Sequence, residues 1–225
     1  MPLKTTLVLA MTADGKISDV QKSPPTFGSK QDYVHLEAQM ALADVILVGS
    51  GTLSDGGEAV LVAKPELIKA RISRGQSAQP TQIICSRTGK MDRELPFFSQ
   101  PIARWLITTK VGSTDWIDLD KFDRVLIRET TEGEIDWDAV RVQLSELGIE
   151  TICFLGGSAL AASLFAANFI DELWLTICPV IYGGVDAPSP VSGVGFTPEL
   201  APKLELLSVD QVDQEIFIHY KVLTS

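Results

Sequence analysis

Gly156 and Gly157 stand between a short apolar run, Thr151 to Leu155, and an Ala- and Leu-rich stretch, Ser158 to Ala167. The run has the composition of a strand buried on both faces, and the stretch, free of Pro and β-branched residues, that of a helix. A glycine pair at such a junction lets backbone N–H groups at the positive end of a helix approach a phosphate. The same pair also suffices for a tight turn, and spacing alone leaves both readings open. A second set is Thr12-Ala13-Asp14-Gly15-Lys16-Ile17-Ser18, directly after the apolar run Thr5 to Met11. Asp-Gly makes a turn without further purpose, but Asp14 and Lys16 are also groups able to orient a substrate or govern a proton.

The third set is Gly49-Ser50-Gly51-Thr52-Leu53-Ser54, after the strand-like Val45 to Val48. A Rossmann fingerprint would place Gly at position 54 and an acidic residue at the end of the next strand. This chain has Ser54, and its next convincing strand, Thr81 to Cys85, runs into Ser86-Arg87. Arg87 is either a solvated surface charge or a cation for a phosphate. The two histidines, His35 and His219, are far apart in sequence and suggest neither a metal site nor a catalytic triad. Cys85, Cys153 and Cys178 each lie inside an apolar run, at no metal-ligand spacing, and read as buried thiols of a reducing compartment.

A net charge of −10 disfavours nucleic acid and anionic membranes as partners. An anionic ligand must therefore be received by local cations or backbone N–H groups. With 45% hydrophobic and 21% charged residues the 225-residue chain reads as an ordinary globular protein. Its apolar stretches are too short and interrupted for a membrane span. Met1-Pro2-Leu3-Lys4 leads straight into the first strand, so no signal peptide and a cytoplasmic location are expected.

The elements that must hold these residues follow in alternation. Ser29, with Asp32 as a loose capping box, opens a helix reaching about Ala43. Pro65 to Arg74 is a short helix with Gly75 beyond its end. Arg104 to Thr108 and Arg124 to Ile127 are strands, and Thr109 to Asp123 between them reads as acidic and irregular. Asp136 caps a helix from about Trp137 to Leu147. Asn168 is a left-handed cap, Leu173 to Ile181 a strand, and Val185 to Pro202 a loop. Lys203 to Val209 and Glu215 to Leu223 form a hairpin. The pattern predicts one α/β domain over residues 1–225, a three-layer α/β/α sandwich. Its mostly parallel central sheet carries antiparallel C-terminal edge strands. Ligands of such sheets collect at the carboxyl ends of the strands, where the three sets lie.

Leu155-Gly156-Gly157, Asp171-Glu172-Leu173 and Pro179-Val180 with Gly183-Gly184 resemble the signature of the RibD C-terminal family. This is the reductase domain of bacterial riboflavin biosynthesis, with a dihydrofolate reductase-like fold. Thr12 to Ile17 is similar to that family's Ser-x-Asp-Gly-Lys-Ile loop, and Val48 to Thr52 to its Val-Gly-x-Gly-Thr turn. The resemblance implies NADPH as cofactor, bound through Thr12, Gly49, Gly51, Thr52, Ser86, Arg87, Gly156, Gly157 and Ser158. It also implies a homodimer, and a small pyrimidine-like substrate, 5-amino-6-(5-phosphoribosylamino)uracil, handled by Asp14 and Lys16. Alternatives are a reductase of the same fold acting on a dihydropterin or other pyrimidine-like compound, and an inactive nucleotide-binding protein. Three departures bear on the substrate. Leu155 replaces the family's Glu, Gln39-Met40-Ala41 its Leu-Arg-Ala, and Asp55-Gly56-Gly57-Glu58 its Asp-Asp-Pro loop with a following Arg. Lys16, Lys30 and Arg71 remain as candidate cations for a substrate phosphate.

Overall fold

The computed structural model describes residues 3–21, 23 and 26–223. The first strand, β1 (Lys4–Thr12), precedes α1 (Lys30–Leu42), β2 (Val45–Gly49), α2 (Ser50–Gly56) and α3 (Pro65–Ser73). Next come β3 (Thr81–Cys85), a 3₁₀ turn Pro96–Ser99, β4 (Arg104–Thr108), α4 (Lys110–Ser113) and β5 (Arg124–Ile127). The chain continues through α5 (Trp137–Glu146), β6 (Thr151–Phe154), α6 (Ser158–Ala166), β7 (Glu172–Cys178), β8 (Lys203–Val212) and β9 (Glu215–Leu223). The backbone groups into two compact units, one built mainly from Glu37–Cys153 and the other from Lys4–Leu36 with the chain from Phe154 onward.

In the first unit the strands run β5-β4-β3-β2-β6. The pairs β2–β3, β3–β4 and β4–β5 are parallel. Their apolar runs are what a sheet covered on both faces requires: Val45, Ile46, Ile83, Ile84, Leu106 and Ile107 are fully buried. The stretch Thr109 to Asp123 is irregular only in part. It contains α4, and it delivers Trp116 and Phe122 to a core cluster with Leu53, Ile84, Phe97, Phe98, Ile102 and Leu106. The Trp116 ring stacks on Phe98 at 5.4 Å, and its Nε1–H donates to the Gly89 carbonyl at 2.6 Å. That bond satisfies the one polar atom the buried indole carries. Arg71, 1% exposed, donates from Nε to Ser77 O and from Nη1 to Ala41 O and Ala43 O. It closes the carboxyl end of α1, whose last carbonyls have no intrahelical partner. Arg71 is therefore not available to a substrate phosphate. Met40 is likewise fully buried.

In the second unit the order is β1-β7-β9-β8. β1 pairs with β7 in parallel, and β7–β9 and β9–β8 are antiparallel. This is the antiparallel C-terminal edge expected from the sequence. The hairpin turns at Asp213, φ +54°, and β8 carries a bulge between Leu206 and Ser208. The start of α1 is fixed by Ser29, whose Oγ accepts the N–H groups of Gln31 at 3.0 Å and Asp32 at 3.2 Å. The expected capping box does not close. The Ser29 N–H and hydroxyl both donate to the buried Glu215 carboxylate, at 2.8 and 2.5 Å. His35 and His219, remote in sequence, both pack on Trp174, at ring-centroid distances of 4.6 and 4.0 Å.

Candidate functional site

In the second unit Thr12 and Cys178 are register partners, so β1 and β7 end together. The loop after β1 folds on itself: Thr12 N–H donates to Lys16 O at 2.8 Å and Gly15 N–H to Thr12 O at 2.9 Å, with Gly15 at φ +79°. The segment after β7 lies against it. Ala13 N–H donates to Val180 O and Ile17 N–H to Pro188 O, both at 2.9 Å. Asp14 joins the two loops. Its Oδ1 accepts the Thr12 hydroxyl at 2.6 Å and the Tyr182 N–H at 3.2 Å, and its Oδ2 accepts the Gly183 N–H at 2.7 Å.

The Thr12 hydroxyl, helped by the Gly183 and Tyr182 N–H groups, lowers the Asp14 carboxyl to about 2. Hydrogen bonds to the charged form outweigh the opposing desolvation. Asp14 is thus a carboxylate at neutral pH, with no proton to give. Lys16 donates its N–H to Thr12 Oγ1 at 2.9 Å and its Nζ to the buried Ala187 carbonyl at 3.0 Å. An ammonium has three donors, so this bond orients Lys16 and leaves capacity for a ligand. Tyr182 meets Phe27 edge-on at 5.5 Å.

Gly156 and Gly157 hold φ at +104° and +103°, a region that L side chains rarely adopt. The conformation demands glycine whether or not a phosphate binds. A Cβ at Gly156 would meet nothing within 4 Å, so open space lies beside it. Gly157 is the N-cap of the nine-residue α6, and among the described residues no side chain caps that helix end. The first N–H groups of a helix have no intrahelical acceptor. Those of Ser158 and its neighbours therefore fit an anion. Leu155, half-buried, places no charge there.

In the first unit the register partnership Gly49↔Cys85 sets the start of α2 beside Ser86-Arg87. The expected turn at Gly49 to Thr52 is instead the first turn of α2, with Gly49 as N-cap and Gly51 and Thr52 exposed. The Ser86 side chain is buried, and its Oγ accepts the Gly89 N–H at 3.1 Å within its own turn. Arg87 is exposed; its carbonyl accepts the Thr109 hydroxyl at 2.7 Å, and its Nε lies 3.6 Å from Glu134 Oε2. The sequence reading did not include Glu134, Glu129 or Lys110. Their only signal was a glutamate at each end of a short Thr- and Gly-containing turn. Among the described residues no group of three or more His, Cys, Asp or Glu could hold a metal ion. No described helix is long and apolar enough to cross a membrane.

Comparison with known proteins identifies the family. Residues 4–218 match the family described as the RibD C-terminal domain. A 2,5-diamino-6-ribosylamino-4(3H)-pyrimidinone 5′-phosphate reductase of Methanothermobacter thermautotrophicus is 25% identical over 216 residues, 95% of each chain. A pyrimidine reductase-like protein of Corynebacterium diphtheriae has the same fold, with a TM-score of 0.82 at 20% identity over 99% of this chain and 93% of that one. Dihydrofolate reductase of Enterococcus faecalis is more distant, with a TM-score of 0.50 at 13% identity over 97% and 96% of the two chains. With the match spanning nearly the whole sequence, the chain belongs to the RibD C-terminal domain family.

Proposed function

We propose that this chain is an NADPH-dependent reductase of riboflavin biosynthesis, acting on 5-amino-6-(5-phosphoribosylamino)uracil or its 2,5-diaminopyrimidinone counterpart. The observation that carries the reading is the uncapped start of α6 behind Gly156 and Gly157, in a chain that matches the family over residues 4–218. In the second unit the N–H groups of Gly157 and Ser158 are the ones suited to a pyrophosphate, and in the first Arg87 with Thr52 the ones suited to a 2′-phosphate. Gly51 leaves room at the start of α2, Gly49 caps that helix, and Ser86 fixes the turn that carries Arg87. When bound, the cofactor supplies a hydride for reduction of the ribosylamino group to a ribitylamino group.

Asp14, already ionised, positions rather than protonates: with Thr12 it holds the turn after β7 against the loop that carries Lys16. Lys16 is the catalytic candidate that touches substrate, its ammonium aimed by Ala187 O. Lys30 is exposed at the start of α1 and is the second cation for a substrate phosphate. The test is oxidation of NADPH by the purified protein with each pyrimidine. Leu155 and the missing arginines favour a second reading, a reductase of the same fold for an unphosphorylated pyrimidine or pterin; oxidation with only such compounds would select it.

A homodimer belongs to the same reading. One face of the second unit is apolar across four strands. Leu173 lies beside Tyr220 and Leu206, and Leu175 beside Ile218 and Val209. Leu206 and Val209 are 56% and 52% exposed, and a hollow of about 260 Å³ opens between Leu9, Leu175, Phe196 and Leu204. An exposed apolar edge of this kind calls for a partner, and a second copy is the one that family resemblance suggests. Light scattering at micromolar concentration should give twice the chain mass. The whole chain then acts as one reductase domain. Three free, buried cysteines suit a cytoplasmic location.

A further inference from the structure

The cations at the carboxyl ends of β3 and β4 are both met by carboxylates of one short turn. Glu129 and Ile135 form an antiparallel bridge, and Thr130 N–H donates to Glu134 O at 2.8 Å, with Gly133 at φ +78°. Thr130 Oγ1 accepts the N–H of Glu134 at 3.3 Å. Glu129 takes Lys110 twice, its Oε2 accepting the backbone N–H at 2.8 Å and its Oε1 the Nζ at 3.0 Å. Its side chain is only 17% exposed, and the Lys110 N–H holds its carboxyl below the ordinary range.

Glu134 meets Arg87 differently. The contact is 3.6 Å, and the side chains are 55% and 64% exposed. The first pair anchors the turn, and the second is loose enough to be displaced. Arg87 itself is held at its backbone, where its carbonyl accepts the Thr109 hydroxyl. Its guanidinium is left to choose between Glu134 and an incoming anion.

We infer that Glu134 is a specificity-determining residue for the cofactor, competing with the 2′-phosphate of NADPH for Arg87 and holding the preference over NADH below what Arg87 alone would give. The inference rests on the reading of Arg87 as the 2′-phosphate cation. A phosphate monoester carries up to two negative charges, so Glu134 both neutralises Arg87 and repels the ligand it would bind. NADH lacks that phosphate and leaves the pair undisturbed.

The experiment is equilibrium titration of NADPH and NADH into the parent, Glu134→Gln, Arg87→Ala and the double variant, at low and high salt. Glu134→Gln should tighten NADPH about two- to fivefold, the size of an exposed ion pair, and leave NADH unchanged. The gain should fade at high salt, which screens exposed charges, and be absent in the Arg87→Ala background. A parent that prefers NADPH through Arg87, with Glu134→Gln changing neither nucleotide or both alike, overturns the inference and leaves the cofactor reading standing. NADPH bound equally by the parent and Arg87→Ala overturns the reading of Arg87, and the inference falls with it.

Discussion

Oδ2 of Asp14 accepts the backbone N–H of Gly183 at 2.7 Å, across a sequence separation of 169 residues. The bond fastens the turn after β7 to the loop after β1, and the Thr12 hydroxyl and Tyr182 N–H complete the carboxylate's shell. Asp14→Asn keeps the shape but removes the charge and misplaces a donor. Because displacement of a positioning group by an ångström can cost up to about a hundredfold, kcat should fall roughly ten- to hundredfold. The pH profile provides the discriminating readout. A carboxyl lowered to about 2 is ionised throughout the working range, and its stabilising contribution, complete above the ordinary value of 3.8, is lost only as pH falls through about 2. Parent kcat should therefore show no inflection traceable to Asp14 between pH 4 and 8, and one that vanishes in Asp14→Asn would restore it as the proton donor.

Gly156 separates backbone strain from ligand space. A Cβ there meets no atom within 4 Å, yet φ is +104°. Gly156→Ala should destabilise the fold by about 1–3 kcal/mol through strain alone. If the N–H groups beside it hold the pyrophosphate, NADPH should also bind at least tenfold more weakly at a temperature where the variant is fully folded. Unchanged affinity with lowered thermal stability would leave the glycine pair as a turn and nothing more.

Arg71 bears on the substrate phosphate. Its guanidinium is buried and donates to three carbonyls, so Arg71→Met strands those of Ser77 and Ala43, while Ala41 O keeps its bond from Arg74 Nη2. The expected loss is about 3 kcal/mol of stability, with KM for the phosphorylated substrate unchanged. A raised KM in a stable variant would contradict the structural role.

His35 predicts acid sensitivity. Burial, then the nearby His219, lowers its affinity for a proton below the ordinary 6.5, and its Nε2 has no hydrogen-bond partner among the described residues. A histidine with a depressed pKa is kept neutral by the fold, so the unfolded chain binds the extra proton. The stability it protects is complete above 6.5 and lost as pH falls below that value. His35→Phe should flatten the decline of the thermal midpoint below pH 6.5; parallel declines in parent and variant would show that other groups cause it.

The parallel strands were legible because burial on both faces leaves uninterrupted apolar runs. Thr81–Cys85, Arg104–Thr108 and Arg124–Ile127 fall where those runs lie. Asp136 and Asn168 were legible because caps act locally: Asp136 Oδ1 accepts the Ala139 N–H at 2.9 Å, and Asn168 sits at φ +49°. What escaped was non-local. Trp116 and Phe122 lie in an acidic stretch without periodicity, and only the fold turns them inward. Arg71 reads as a candidate cation for a substrate phosphate because nothing near it in sequence names the carbonyls it serves. Two of the three partners of Asp14, the Tyr182 and Gly183 N–H groups, lie far along the chain, so a group that joins two loops resembled one free to do chemistry. Arg87 and Glu134, likewise, meet only through the parallel order of β3, β4 and β5.

The central claim is tested most directly by incubating the purified protein with NADPH and 5-amino-6-(5-phosphoribosylamino)uracil, following nucleotide oxidation and product mass together. The account predicts one NADPH oxidised per pyrimidine reduced, with a product heavier by two hydrogen atoms, and loss of turnover in Lys16→Ala. NADPH that binds but is not oxidised by this compound, its 2,5-diaminopyrimidinone counterpart or their unphosphorylated forms would contradict it.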